Sequence, residues 1–423
     1  MPAEPTGRPG LRDFLPLVQT AALIEWTGTG LFLAVSTIYF VQVVGLPTAQ
    51  VGAGLSLAGA AAMAGTPLVA RFAGRHGPRN VLVGLNLLRA LATLGYLWVD
   101  NWPSFAAVAL VVALTEQSAP ALIQVYVGSL APDTFRGRVL AAQRTLVNVG
   151  ISAGGLIAGA VLRRDDRTAF DVLLIGGAMA YLVVAVMLAM GQGGAVTTRG
   201  SGSLRAPLRD RRFLAVSGYN ALLSLWTPVL NVGFPLWLVT GVHLPVRYAG
   251  TLYAVNTVLC IGLQYPLHRL HRTVDQALRS FGLAAGLLAV AAAGLASAPL
   301  FTGPVALAIL AGSVVVLTMA ELLQVGAAWT LSFEFSPAHD RSSYLLLFST
   351  GRTLADRVFG PLLMTTVVLA LGEAGWIGLA CALAATSTVP FVVLRRRRAF
   401  AVSLRHQVSP SDGAGGATTR AST

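Results

Sequence analysis

The sequence predicts an all-α integral membrane protein in which twelve transmembrane helices form two pseudo-symmetric six-helix bundles. Three observations carry that prediction: an apolar composition, long uncharged runs punctuated by arginine, and an internal repeat. Of the 423 residues, 55% are hydrophobic and only 11% charged, with a mean hydropathy of +0.70. A soluble domain carries about 25% charged residues, and a helix that spans a bilayer needs ~20 mostly apolar ones. The composition therefore excludes a soluble enzyme.

All 30 basic residues are arginine. Without lysine, neither a G-x-x-x-x-G-K-[ST] phosphate loop nor a Schiff-base nucleophile is available. No Ser/His/Asp or metal constellation occurs at helical spacing, so an enzyme is not expected. Cys260 and Cys381 sit in apolar runs and read as small hydrophobes. The net charge of +13 raises nucleic acid as a partner, but the placement of the arginines points to the bilayer instead.

Residues 26–70 contain no charged residue, which leaves room for two helices joined at Gly45-Leu46-Pro47. A second uncharged stretch, 280–320, holds another pair that turns near Pro299 and Gly303-Pro304. The first apolar run is long, continues into a second and lacks a convincing cleavage site, so it reads as a retained helix from Leu17 onward. The expected helices are 17–43, 48–72, 80–99, 103–130, 138–162, 169–190, 213–240, 247–268, 276–297, 300–335, 343–371 and 374–394. With both termini inside, 22 arginines fall on the cytoplasmic side and four (Arg163, Arg164, Arg167 and Arg247) on the other. This bias predicts cytoplasmic termini in the plasma (inner) membrane, and inner-leaflet anchoring explains the basic charge. Residues 1–190 are expected to form the N-terminal bundle and 213–394 the C-terminal bundle. Between them, the Gly-, Ser- and Arg-containing stretch 191–212 reads as a cytoplasmic linker. Residues 395–423 read as a basic, disordered cytoplasmic tail.

The halves repeat. Leu46-Pro47 with Gly52 recurs as Leu244-Pro245 with Gly250 at an offset of 198, and Pro67-Leu68 recurs as Pro266-Leu267 at 199. Glu116, Pro132 and Arg136 match Glu321, Pro337 and Arg341 at 205, and 144–148 matches 352–356 at 208. Order and spacing preserved with small insertions mark a duplicated six-helix unit.

Two six-helix repeats with a basic loop after the second span resemble the major facilitator superfamily over roughly residues 12–396. That family carries G-x-x-x-D-R-x-G-R-R between helices two and three. Here residues 70–79 keep Arg75, Gly77 and Arg79, whereas Ala70, Gly74 and Pro78 replace the first Gly, the Asp and an Arg. The fifth helix is similar to the N-x-G-x-x-x-G-P-x-x-x-G pattern of the drug–proton antiporter branch. Asn148, Gly150, Gly154, Gly155 and Gly159 match all but the Pro, and such small residues let helix backbones approach closely. The Arg that this branch carries in the fourth helix is absent, since that region reads Leu114-Thr115-Glu116-Gln117.

Ionisable groups at mid-membrane are functional candidates by default. Glu25 lies about 16 Å along the first helix from Phe14, and Glu116 and Glu321 lie about 21 Å from the cytoplasmic ends of theirs. Arg89 sits within the third helix. A carboxyl group held away from water can exchange protons with it as access alternates. The expected proton carrier is Glu25, as the resemblance also implies, followed by Glu116; Glu321 is open to a substrate-facing or a structural role. Arg144, Arg352, Asp356 and Arg357 read as lying nearer the cytoplasmic ends of their helices. Arg352 and Asp356, four residues apart, share a helix face. By resemblance, Asp356 would also reach Arg71 or Arg75 on the loop that includes Arg79, forming a gating latch; inner-leaflet anchoring is the alternative. In the seventh helix, Trp226-Thr227-Pro228, Asn231, Phe234-Pro235 and Trp237 predict a broken backbone ladder lining a cavity. Trp226, Asn231, Phe234 and, on the eighth helix, Asn256 are the substrate-contact candidates.

The function expected is proton-coupled efflux of a hydrophobic or cationic small molecule, such as a drug or natural product, by alternating access. Proton-coupled uptake of a small nutrient is the alternative on the same fold, and a non-transporting membrane sensor is the alternative of another class. The proton gradient is the energy source. No cofactor, metal site or oligomer is required, and the partners expected are a small-molecule substrate and the lipid bilayer.

Overall fold

Helix boundaries follow local chemistry. Gly77 takes a φ of 84°, which a side chain would resist, and separates the helix ending at His76 from one that starts with Pro78 in its first turn. Gly303 (φ 58°) followed by Pro304 opens the tenth helix in a similar way. The Asp210 carboxylate accepts from the amides of Arg212 and Phe213 to cap the seventh. Thr273 and Gln276 form a reciprocal capping box on the ninth.

The computed structural model describes residues 11–33, 36–130, 133–162, 167–191, 207–271, 273–337 and 341–392. Most of the expected linker (192–206), Arg163, Arg164 and the expected tail lie outside these residues. The described residues form twelve helices and no strand. Helix α1 is Leu11–Leu33 and resumes at 36–43, followed by α2 Thr48–His76, α3 Pro78–Trp98, α4 Trp102–Leu130, α5 Asp133–Val161 and α6 Arg167–Met190. The second set is α7 Arg211–Thr240, α8 Arg247–Leu267, α9 Val274–Leu300, α10 Gly303–Glu334, α11 341–368 and α12 Glu373–Val392. Among the described residues, eight of these helices are long and apolar enough to cross a membrane.

The ladder of α7 is interrupted as its prolines predict. A turn at 224–225 and a widened π segment at Val229–Gly233 separate its helical pieces. Helix α11, expected as one regular helix, instead contains π segments at Leu354–Phe359 and Met364–Val368.

The chain runs up and down. Call the end where α1 starts proximal and the other distal. At the distal end the Trp102 indole donates to Gln50 O at 2.8 Å, joining the α1–α2 and α3–α4 junctions. The Trp237 indole donates to Leu295 O at 2.7 Å in the second half. At the proximal end, Arg79 donates to the carbonyls of Leu188 and Ala189 at the close of α6.

The halves meet through α2 against α11, α5 against α8, and the distal ends of α1 and α7. A single buried core runs through both halves and includes Ile38, Phe40, Phe105, Phe234, Leu310 and Trp376. Toward the proximal end the cores separate. One joins Val18, Leu82, Tyr126 and Leu188 of the first half, and the other joins Phe213, Tyr344 and Phe348 of the second. The described residues thus hold the two halves together distally and apart proximally.

Glycine makes the distal contact possible. A Cβ on Gly250 would lie 2.8 Å from both the Gly155 carbonyl oxygen and the Gly159 nitrogen. Backbone atoms cannot yield to it without moving a helix. Overpacking of this kind costs about 1–3 kcal/mol. Gly250→Leu is therefore expected to open the distal end, raising maleimide labelling of a single cysteine at the buried Ser56 about tenfold or more. Unchanged labelling would show that the α5–α8 approach does not hold this end closed.

Candidate functional site

The polar centre grows from residues one turn apart on neighbouring helices. On α1, Glu25 and Thr29 share a face, and the Thr29 hydroxyl donates to the Glu25 carbonyl at 2.9 Å. On α3, Asn86, Arg89 and Thr93 form a buried polar stripe. Arg89 is 4% exposed and Glu25 5%, so neither charge has solvent to neutralise it. Their nearest nitrogen–oxygen distance is 3.6 Å. The same guanidinium lies 3.9 Å from Glu116 on α4, donates to Thr29 Oγ1 at 3.3 Å and covers the Tyr181 ring of α6 at 4.2 Å. Tyr181 in turn bonds Thr29 through its hydroxyl at 3.2 Å.

Glu116 is shared. Its other oxygen accepts from Arg357 of α11 at 3.0 Å, across the boundary between halves. Two carboxylates and two guanidiniums therefore form one chain, Glu25–Arg89–Glu116–Arg357, and its last link joins the halves. Glu116 stands fourteen residues from either end of α4, about 21 Å in. The Glu116 and Arg357 side chains are partly exposed, so water screens this link more than the Glu25–Arg89 pair, yet breaking it at that depth still leaves unpaired charge.

The second half contains a different polar group. The Asn256 amide of α8 donates to Glu321 Oε2 and to Thr318 Oγ1 on α10, each at 2.9 Å. The Cys260 thiol bonds the same carboxyl group. One turn along α10, Gln324 donates to Asn220 Oδ1 at 2.6 Å and accepts from the Trp226 indole at 3.1 Å. That bond and close packing place Trp226, 9% exposed, in the core together with Phe234 at 1%. In this conformation neither faces an opening. Asn231 is half-buried in the π segment of α7, and its Oδ1 has no partner.

The small residues of α5 divide between two neighbours. Gly150 and Gly154 lie against the backbone of α1 from Leu23 to Leu31, whereas Gly155 and Gly159 lie against α8. Asn148 reaches Gln264 of α8 at 3.5 Å.

The expected latch is not assembled here. Gly59 is the α2 residue whose Cβ position meets the Arg357 carbonyl. Arg71 lies twelve residues further along α2, about 18 Å toward the proximal end, and Arg75 a further turn beyond. Both are exposed, too far along the helix to reach Asp356. Nor does an ion pair among the described residues join Arg352 to Asp356. Widened turns begin at Leu354 between them, so α-helical i, i+4 stacking does not hold. Arg352 is exposed and Asp356 half-buried. Arg357, read with this group as lying nearer the helix end, instead sits at the depth of Glu116. Arg79 caps α6 through its carbonyls. The Arg144 side chain lies outside the described residues.

Sequence reasoning also passed over Thr29, Tyr181, Asn220 and Gln324. Helical spacing offered a signal for two of them, since Thr29 follows Glu25 by four and Gln324 follows Glu321 by three. Tyr181 and Asn220 carried none.

A sequence model described as Major Facilitator Superfamily matches residues 20–361. A search of curated protein sequences finds no match. Solved structures are similar in fold at low identity. A point mutant of the nucleoside transporter NupG aligns with a TM-score of 0.73 at 15% identity, covering 90% of this chain and 99% of that one. A bacterial homologue of the human lysosomal transporter Spinster, inward-facing and occupied, gives 0.71 at 12%, covering 92% and 98%. The xylose transporter XylE from E. coli, in an inward open conformation, gives 0.67 at 14%, covering 90% and 96%.

Proposed function

The chain belongs to the Major Facilitator Superfamily, and on that premise we propose that it exports a hydrophobic or cationic small molecule in exchange for protons by alternating access. The observation that carries this reading is the charge chain from Glu25 to Arg357 at mid-depth. Its last link spans the halves, so a rocking motion that parts them must break or re-form an ion pair. A carboxylate that loses its guanidinium in the membrane has to be neutralised by a proton. The movement that exposes the site to one side is thereby tied to proton uptake or release.

The arginine bias supports a cytoplasmic proximal end. On that orientation the conformation faces inward, as do the Spinster homologue and XylE structures by their descriptions. In the proposed cycle, the inward-facing state binds substrate from the cytoplasm after releasing its proton. Distal opening withdraws Arg357, Glu116 competes for Arg89, and Glu25 takes a proton from outside. The glycine pattern of α5 favours export, because it resembles the antiporter branch.

Inverted membrane vesicles test the proposal. Lipophilic cations and antibiotics are expected to accumulate inside them with a proton gradient and to stop accumulating when it is collapsed. Glu25→Gln is expected to abolish gradient-driven accumulation while substrate-for-substrate exchange continues. Full proton-driven efflux in that variant would remove Glu25 from the coupling role. Gradient-driven movement in the opposite direction would reassign the chain to uptake.

A further inference from the structure

The Arg89 guanidinium lies between two carboxylates and is hydrogen-bonded to neither. Its nearest nitrogen–oxygen separations are 3.6 Å to Glu25 and 3.9 Å to Glu116, whereas a charge-assisted N–H···O bond closes to about 2.7–2.9 Å. Its Nε has no hydrogen-bond partner. The groups it does touch are neutral. One nitrogen donates to Thr29 Oγ1 at 3.3 Å, and the guanidinium carbon stands 4.2 Å over the centre of the Tyr181 ring. The Thr29 hydroxyl gives its own proton to the Glu25 carbonyl, so Tyr181 is the donor in the 3.2 Å contact between the two hydroxyls. Thr29 Oγ1 thereby accepts from both Tyr181 and Arg89, which uses its two lone pairs. Tyr181, 4% exposed, thus holds the guanidinium twice, by its ring and through Thr29.

An unrestrained guanidinium closes on a carboxylate as a forked pair. Glu116 already has Arg357 at 3.0 Å, whereas Glu25 has no other cation within ion-pair distance among the described residues, so the closure would fall on Glu25. We propose that Tyr181 is a positioning residue that, with Thr29, keeps Arg89 poised between Glu25 and Glu116 and so leaves Glu25 free to gain and lose a proton. An aromatic face suits this task, because it attracts a cation without a net charge of its own. It steadies the arginine without competing with the acids for it. The other charged or titratable groups that act on Arg89 are Tyr96 at the end of α3 and Arg357 of α11, and neither depends on the Tyr181 ring for its place. This inference rests on the transport reading above, in which Glu116 competes for Arg89 when Arg357 withdraws. An arginine locked on Glu25 could not answer that competition.

Infrared titration of the purified full-length protein tests this without any transported compound. The neutral carboxyl band of Glu25 is assigned by its loss in Glu25→Gln. Tyr181→Leu is expected to move the midpoint of that band about one pH unit to the acid side, a tenfold loss of proton affinity, because Arg89 then closes on Glu25. Tyr181→Phe keeps the ring and is expected to restore most of the wild-type midpoint. Thr29→Val removes the hydroxyl at nearly constant volume and is expected to shift the midpoint in the same direction by less. It carries the test if Tyr181→Leu does not fold. A purely structural role for Tyr181 would lower thermal stability and leave the midpoint where it was. A midpoint unchanged or moved to the alkaline side in the folded variants, or no band assignable to Glu25, overturns the inference. Failure of the transport reading shows separately, as wild-type vesicles that move no compound in response to a proton gradient.

Discussion

Replacing Arg89 with glutamine is expected to abolish transport and to produce the largest loss of stability of any single substitution in the site. Its guanidinium is the only group within ion-pair distance of Glu25 among the described residues, and it also serves Glu116. The side chains of Arg89 and Glu25 are 5% and 6% exposed. Removing one partner of a buried pair costs about 3–5 kcal/mol, because the other charge is left uncompensated. Thermal unfolding of the purified variant measures this. The mechanism also dictates a rescue: Glu25→Gln combined with Arg89→Gln should be more stable than Arg89→Gln alone, since the orphaned carboxylate is gone. Equal stability of the two would show that Glu25 is already neutral beside Arg89. The double variant should remain inactive, which separates folding from coupling.

Arg357→Gln is expected to impair transport strongly while disturbing folding less than Arg89→Gln does. The Arg357 side chain is 35% exposed and Glu116 is 19% exposed, so water screens the pair and its loss should cost about 1–2 kcal/mol. The effect falls mainly on function because this link alone in the charge chain crosses between halves. Transport is expected to drop about tenfold or more, with the equilibrium between inward- and outward-facing states shifted by a similar factor. A double-mutant cycle with Glu116→Gln is the decisive measurement. If the pair is the coupling element, Arg357→Gln should have little further effect once Glu116 is neutral. Additive losses would assign the two residues to separate roles. A direct swap of the charges is a poorer test, because an arginine at 116 would face Arg89.

The helix count, the membrane class and the internal duplication were legible because each depends on patterns that survive without tertiary contact. Uncharged runs must be buried in lipid, prolines and glycines must punctuate helices, and a duplicated gene keeps its spacing. Glu25, Arg89, Glu116 and Glu321 stood out for the same reason, as ionisable residues where hydrocarbon surrounds the chain. Their partners were harder to read. Arg357 was grouped with residues near the helix ends, since nothing local to 352–357 tells which neighbour crosses to meet it. The π segment at Leu354–Phe359 has no firm signature in composition, yet it changes the helical phase on which the Arg352–Asp356 pairing depended.

The glycines of α5 divide along the same line. Their spacing announced close helix approach, but it did not say that Gly150 and Gly154 serve α1 while Gly155 and Gly159 serve α8. Local sequence, through hydropathy, charge and turn residues, determined by itself that this chain is a duplicated twelve-helix membrane protein with acids and an arginine buried at mid-depth. Only the tertiary structure decided that two arginines share Glu116 while, among the described residues, none pairs with Glu321. It also decided that one core joins the halves toward the distal end while their proximal cores stay apart. The physical reason is that pairing across some 241 residues of chain, as between Glu116 and Arg357, depends on how whole helices pack, a property no single stretch of sequence contains.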